Sequence, residues 1–225
     1  MRIWRYLSDD PRIGGKMILF ECACGKQRLI PEFNQDTYDQ ALEQVRLEGW
    51  MIESDHPDSS QLCPVCSEDW LLNTIIRPQY KLNWNGIHGL YHWKRVETNG
   101  LRLAKHTGAN KLVVHYFAFL HDAKRIDDNT DTGHGERAAI WIQNEVAKWL
   151  PLKKDELEML LSACAMHDTN RNALLPTVAT CFDADRLDLP RVGKTVDPKQ
   201  LSTNYAKLSY IIDWAAKRAK RNDTR

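Results

Sequence analysis

The residues in this sequence with the most chemistry to offer are imidazoles and carboxylates, and they fall in order along its second half. They occur as His92-Trp93-Lys94-Arg95-Val96, Leu120-His121-Asp122, His134-Gly135, Cys164-Ala165-Met166-His167 and Phe182-Asp183-Ala184-Asp185-Arg186. Each lies within or at the end of a stretch whose apolar residues recur at helical spacing, so each should face the core of a helical bundle. One buried histidine is ordinarily satisfied by a neighbour. Such groups on five successive core-facing segments are costly to bury without a shared partner, and a metal cation satisfies neutral imidazole and ionised carboxylate together. The pair His121-Asp122 closes the apolar run 112–120. Asp122 at the inner end of that helix could bridge two cations about 3.5–4 Å apart, the spacing of two-metal hydrolytic sites. Asp183 and Asp185 compete for the last ligand position; about 200° apart around a helix, they cannot both point inward.

Softer ligands lie earlier. Cys22-x-Cys24 and Cys63-x-x-Cys66 each sit beside a tight-turn residue, Gly25 or Pro64. Two thiolates on each of two turns suit one closed, tetrahedral, structural Zn²⁺. The competing reading is two independent pairs of reduced core cysteines, and His56 could stand in for one of the four. Six cysteines without a secretory signal argue against a disulfide framework. Cys164 and Cys181 lie alone in apolar helical stretches and read as core.

These groups need elements to position them. Residues 17–22 suit a strand running into a turn at Cys24-Gly25, residues 37–48 suit a helix with Tyr38, Ala41, Leu42 and Val45 on one face, and Trp50-Met51-Ile52 suits a second strand ended off from that helix by Gly49. The clearest boundary is Arg77-Pro78-Gln79-Tyr80. It separates a small α+β zinc-binding module, residues 1–76, from residues 77–225. In the latter, helical patterns near 86–107, 110–122, 133–149, 153–167, 173–187 and 198–220 predict an all-α bundle. The chain should therefore be mainly α.

Composition agrees with a soluble globular class. Of 225 residues, 43% are hydrophobic and 27% charged, which excludes intrinsic disorder, a collagen-like fibre and a coiled-coil rod. No run of about 18 apolar residues exists to span a bilayer. The sequence turns polar at Ser8-Asp9-Asp10 before a signal-peptide core can form, so the expected location is the cytoplasm, with no membrane partner. The net charge of +1 is unevenly spread: residues 1–76 carry seven Lys and Arg against thirteen Asp and Glu. An acidic N-terminal part is poorly suited to gripping a nucleic-acid backbone, whereas the basic remainder could attract a phosphorylated substrate.

Taken together, His92, His121-Asp122 and Asp185 resemble the signature of the HD superfamily of metal-dependent phosphohydrolases, a His, a His-Asp pair and a distant Asp on a helical bundle. His92-Trp93-Lys94-Arg95-Val96 is similar to that family's first core helix. His134 and His167 resemble the extra histidines of its two-metal members, and the ending from Ala184-Asp185 to Arg191 resembles that of bacterial HD-type diadenosine tetraphosphate hydrolases. The resemblance covers about residues 84–195. It implies an HD-type bundle in which His92, His121, Asp122 and Asp185 hold one metal, and Asp122, His134 and His167 hold another. A hydroxide activated by both would attack phosphorus. The cation would be Mn²⁺, Fe²⁺, Co²⁺, Ni²⁺ or Zn²⁺. The substrate it implies is a nucleotide or small phosphorylated metabolite.

Arg125, one turn beyond the His-Asp pair, would clamp a phosphate oxygen or else pair with Asp127 or Asp128 at the surface; Arg191 offers a similar choice. His88, four residues before His92 and on the same helix face, is either a partner to a ligand, a substrate contact, or an ordinary helix-start histidine. Two other functions compete: a nuclease or phosphodiesterase acting on nucleic acid under guidance of the zinc module, and a metal-stabilised interaction protein without turnover.

Overall fold

A computed structural model describes residues 6–7, 17–22, 24–31, 37–48, 50–52, 61–62, 64–169 and 173–220. Cys63 and His56 lie outside the described residues. The chain is mostly helical and forms two compact units, Met1–Ile75 with Trp149–Pro151, and Ile76–Lys148 with Leu152–Arg225.

In the first unit, β2 (Met17–Glu21) and β3 (Gln27–Pro31) form an antiparallel hairpin in the register Met17↔Pro31 to Glu21↔Gln27. β1 (Tyr6–Leu7) pairs antiparallel with β2. The hairpin closes through Gly25 N–H to the Cys22 carbonyl at 2.8 Å and Cys22 N–H to the Lys26 carbonyl at 2.9 Å. Gly25 sits there at a φ of +86°, which side-chain-bearing residues rarely adopt. α1 (Thr37–Leu47) buries Ala41 and Val45, four residues apart, against Phe20, Cys22, Ile30 and Trp50. A second ladder joins β4 (Met51–Ile52) to β5 (Gln61–Leu62), and α2 (Pro64–Trp70) runs on into a π-helical stretch, Leu71–Ile76. The sequence reading of strands near 17–22 and 50–52 and of a helix near 37–48 matches β2, β4 and α1. It missed β1, β3, β5 and α2.

The second unit is the bundle. α3 (Leu90–Thr107) ends at Gly108, whose φ of +71° stops the helix. α4 (Lys111–Leu120) starts at Asn110, whose side chain accepts the Leu112 and Val113 N–H groups. α3 and α4 approach closely because of Gly100: a Cβ there would lie 2.4 Å from Val114 Cγ1. α5 (His134–Trp141) continues as a π-helical stretch, Ile142–Val146. α6 (Lys154–Met166), α7 (Pro176–Arg186) and α8 (Ser209–Lys220) follow. Leu103, Leu187, Val196, Leu201, Ile211 and Ala215 form a core that ties α3, the end of α7 and α8 together.

The helix expected over 198–220 is shorter than its sequence pattern. Only a 3₁₀ turn, Pro198–Gln200, and α8 are helical. The reason is Asp183: its carboxylate accepts Ser202 N–H at 2.7 Å and Thr203 N–H at 2.8 Å, and the Thr203 hydroxyl at 2.7 Å. Those bonds hold the segment as a turn. No helix among the described residues is long and apolar enough to cross a membrane.

Candidate metal centre

The bundle brings the ends of several helices to one point. His92 lies in the first turns of α3, His121 and Asp122 follow α4, His134 begins α5, His167 ends α6, and Asp185 is in the last turn of α7. The imidazoles are all buried, His92 and His121 completely.

On one side, His92 Nε2 and His121 Nε2 approach to 3.2 Å. Asp185 Oδ1 is 3.4 Å from the first and 3.8 Å from the second, and Asp122 Oδ2 is 3.7 and 3.6 Å away. On the other side, His134 Nε2 and His167 Nε2 are 2.9 Å apart. Asp122 Oδ1 lies 3.1 Å from His134 and 3.7 Å from His167. The two oxygens of one carboxylate thus face two imidazole pairs.

The outer nitrogens explain why the inner ones converge. His121 Nδ1 is 3.1 Å from the Phe117 carbonyl, His134 Nδ1 is 2.6 Å from the Asp131 carbonyl, and His167 Nδ1 is 2.8 Å from the Cys164 carbonyl. His92 Nδ1 is 2.7 Å from Asp188 Oδ2. Carbonyl and carboxylate oxygens only accept, so each Nδ1 carries a proton and each ring turns its Nε2 inward.

Electrostatics sharpens this. Burial pushes His121 down to about 3, so its ring is neutral and its lone pair faces that of His92. Burial alone would raise the carboxyls of Asp122 and Asp185. The imidazoles packed around them outweigh it and hold both well below the usual carboxylate range. For His167 burial acts downward, yet Asp122 beside it prevails and holds the imidazole above its ordinary value. Asp122 Oδ1 is buried without a hydrogen-bond partner. Facing lone pairs and an orphaned anionic oxygen repel one another unless a cation lies among them. Mixed imidazole and carboxylate ligation fits a divalent transition metal.

Of the competing last ligands, Asp185 faces this cluster and Asp183 is committed to Ser202 and Thr203. Arg125 is buried rather than paired at the surface. Its Nε and Nη2 donate to the Asp127 and Asn129 carbonyls at 3.3 and 3.2 Å. Its Nη1 lies 3.6 Å from Asp122 Oδ1 and 3.3 and 3.2 Å from the two nitrogens of His134. His88 is buried, with Nδ1 2.9 Å from Asp128 and its ring 6.3 Å from that of His92. Arg191 Nε donates to the Ile87 carbonyl at 2.8 Å.

Sequence reasoning missed the groups behind the imidazoles. Asp188, Arg95 and Asp168, the last 3.4 Å from His134 Nδ1, were not singled out. Asp131 braces the loop before α5: it accepts Ile126 N–H at 2.8 Å, pairs with Arg137 at 2.6 Å, and offers its carbonyl to His134. Arg95 and Asp188 become a pair only when α3 meets the end of α7. In the first unit the sulfurs of Cys22, Cys24 and Cys66 lie within 4.8 Å of one another.

No protein-family model matches the chain, and no curated protein is significantly similar to it. Among solved structures, it is similar to the crystal structure of a predicted HD superfamily hydrolase from an uncultured Thermotogales bacterium. Identity is 23% and the TM-score 0.50, over 64% of this chain and 82% of that one. The likeness is one of fold: the protein has an HD-type helical architecture.

Proposed function

We propose that the protein is a metal-dependent phosphohydrolase of HD type, acting on a nucleotide or a small phosphorylated metabolite. The observation that carries this reading is Asp122, an ionised, buried carboxylate between two pairs of inward-facing imidazoles, with Oδ1 lacking any hydrogen-bond partner. His92, His121, Asp122 and Asp185 would hold one divalent cation, and Asp122, His134 and His167 a second. When bound, such cations supply Lewis acidity toward a phosphoryl oxygen and lower the pKa of coordinated water.

The chain's own groups do the rest. Asp122 ties the two halves of the centre together. Arg125, its charge fixed by two backbone carbonyls, stands at the edge of the cluster where a non-bridging phosphate oxygen would need it. His88 and Arg191 would contact substrate from the start of α3 and the end of α7. Hydrolysis is further supported by the similar Thermotogales protein, itself a predicted hydrolase. In the other unit, Cys22, Cys24 and Cys66 would hold a structural Zn²⁺, with Cys63 as the fourth ligand.

Elemental analysis of wild type and Asp122→Ala side by side tests this. Wild type should carry zinc plus further transition metal, and the variant should keep only the zinc. Wild type should also release phosphate from nucleotides with Mn²⁺, Fe²⁺ or Co²⁺, at a rate the variant lowers at least a hundredfold. Equal metal in both proteins, or no turnover of any phosphorylated substrate with any of these metals, would sink the reading.

A further inference from the structure

We infer that Asp188, braced by Arg95, is a positioning residue that aims His92 into the metal centre; the inference rests on the metal-binding reading above. The four imidazoles of the centre are not held alike. His121, His134 and His167 lean on main-chain carbonyls, which their own helices or loops supply. His92 leans on a carboxylate 96 residues away, with Nδ1 2.7 Å from Asp188 Oδ2.

That carboxylate is built for the task. Asp188 is 1% exposed, so it needs compensating donors. Arg95 supplies two, Nε to Oδ1 at 2.7 Å and Nη2 to Oδ2 at 3.1 Å, in the bidentate geometry a guanidinium favours. Arg191 adds a second cation, its Nε 3.8 Å from Oδ2. Against these, burial alone would raise the Asp188 carboxyl; His92 first, then Arg95, hold it low and ionised. An anion at Nδ1 fixes the proton there, leaves Nε2 unprotonated, and makes it a stronger donor to a cation.

The local sequence arranges this with two three-residue steps. His92 and Arg95 share one face of α3. Asp185 and Asp188 share the turn that ends α7, joined by the Asp188 N–H to the Asp185 carbonyl at 2.9 Å. One turn thus presents a candidate ligand to the centre and, behind the neighbouring ligand, the group that orients it.

The test uses the full chain, Co²⁺ as probe, and two readouts, affinity by competition with a chelator and the visible absorption of bound Co²⁺. Asp188→Asn keeps the shape and removes the charge. It should bind Co²⁺ about 10–100-fold more weakly, with an altered absorption band, while far-ultraviolet circular dichroism stays unchanged. Arg95→Ala removes the brace alone and should weaken binding at least threefold, which keeps the inference open to refutation if Asp188→Asn does not fold. Wild-type affinity and spectrum in either folded variant overturn the inference. A wild-type protein that binds no Co²⁺ overturns the metal-binding reading itself.

Discussion

Gly135→Ala puts the packing around the second imidazole pair to a test of sign. Gly135 follows His134 in the first turn of α5. A Cβ there would lie 2.2 Å from the Cys164 carbonyl oxygen, and 3.0 and 3.1 Å from Nδ1 and Cε1 of His167. The first obstacle is backbone at the end of α6 and cannot rotate away, so α5 must retreat by on the order of 1 Å in a close-packed interior. Helix propensity alone predicts that the substitution stabilises, by about 1 kcal/mol. Overpacking predicts a cost of about 1–3 kcal/mol. The same carbonyl accepts the Nδ1–H of His167 at 2.8 Å, and disturbing that bond adds about 1 kcal/mol. The net should be a loss of roughly 1–3 kcal/mol, lowering Tm by about 2–12 °C for a chain of this size. Scanning calorimetry of the metal-free protein measures it, and Co²⁺ titration should show weaker binding at the His134–His167 side. A variant as stable as wild type, or more stable, would mean that α5 and α6 do not approach as closely as the geometry requires.

Two other perturbations separate neighbouring roles. Asp183→Ala should destabilise by about 1–3 kcal/mol, because it leaves the half-buried donors of Ser202 and Thr203 without their acceptor, yet leave metal content intact; Asp185→Ala should do the reverse. Denaturant titration and elemental analysis read the two effects, and an exchange of phenotypes would reverse the assignment of these aspartates. Acid should empty the centre in order. Protons compete with metal for imidazole, and His167 is held above its ordinary pKa while His121 is pushed down to about 3. Metal on the His134–His167 side should therefore leave first as pH falls, followed by metal between His92 and His121. Stepwise dialysis with metal analysis would show two releases, and a single release, or the opposite order, would contradict the electrostatics.

Much of the bundle was legible because helical periodicity is local. The segments near 110–122, 153–167 and 173–187 emerge as α4, α6 and α7 with ends moved by one to three residues. The segment near 198–220 failed for a non-local reason: its first residues answer to Asp183, on a different helix. The histidines could be singled out by type and by their place in apolar runs, and the structure brings all four together. Helical spacing left the choice between Asp183 and Asp185 open, since both lie in α7, and only the resemblance of Ala184-Asp185 to a family ending favoured Asp185. A partner outside the helix decides which one turns inward.

The sequence by itself determined that this protein is mainly helical, and that its imidazoles and carboxylates sit at helix positions facing a core. Those properties follow from residue type and from a period of 3.6, which each segment carries alone. Tertiary structure decided what stands behind His92 and how the four rings converge. The Cys164 carbonyl holds His167 because α6 ends there, and Asp188 holds His92 because α7 ends against α3. Ring orientation depends on a hydrogen bond to a group remote in sequence or on the main chain, and neither leaves a mark on the spacing of side chains.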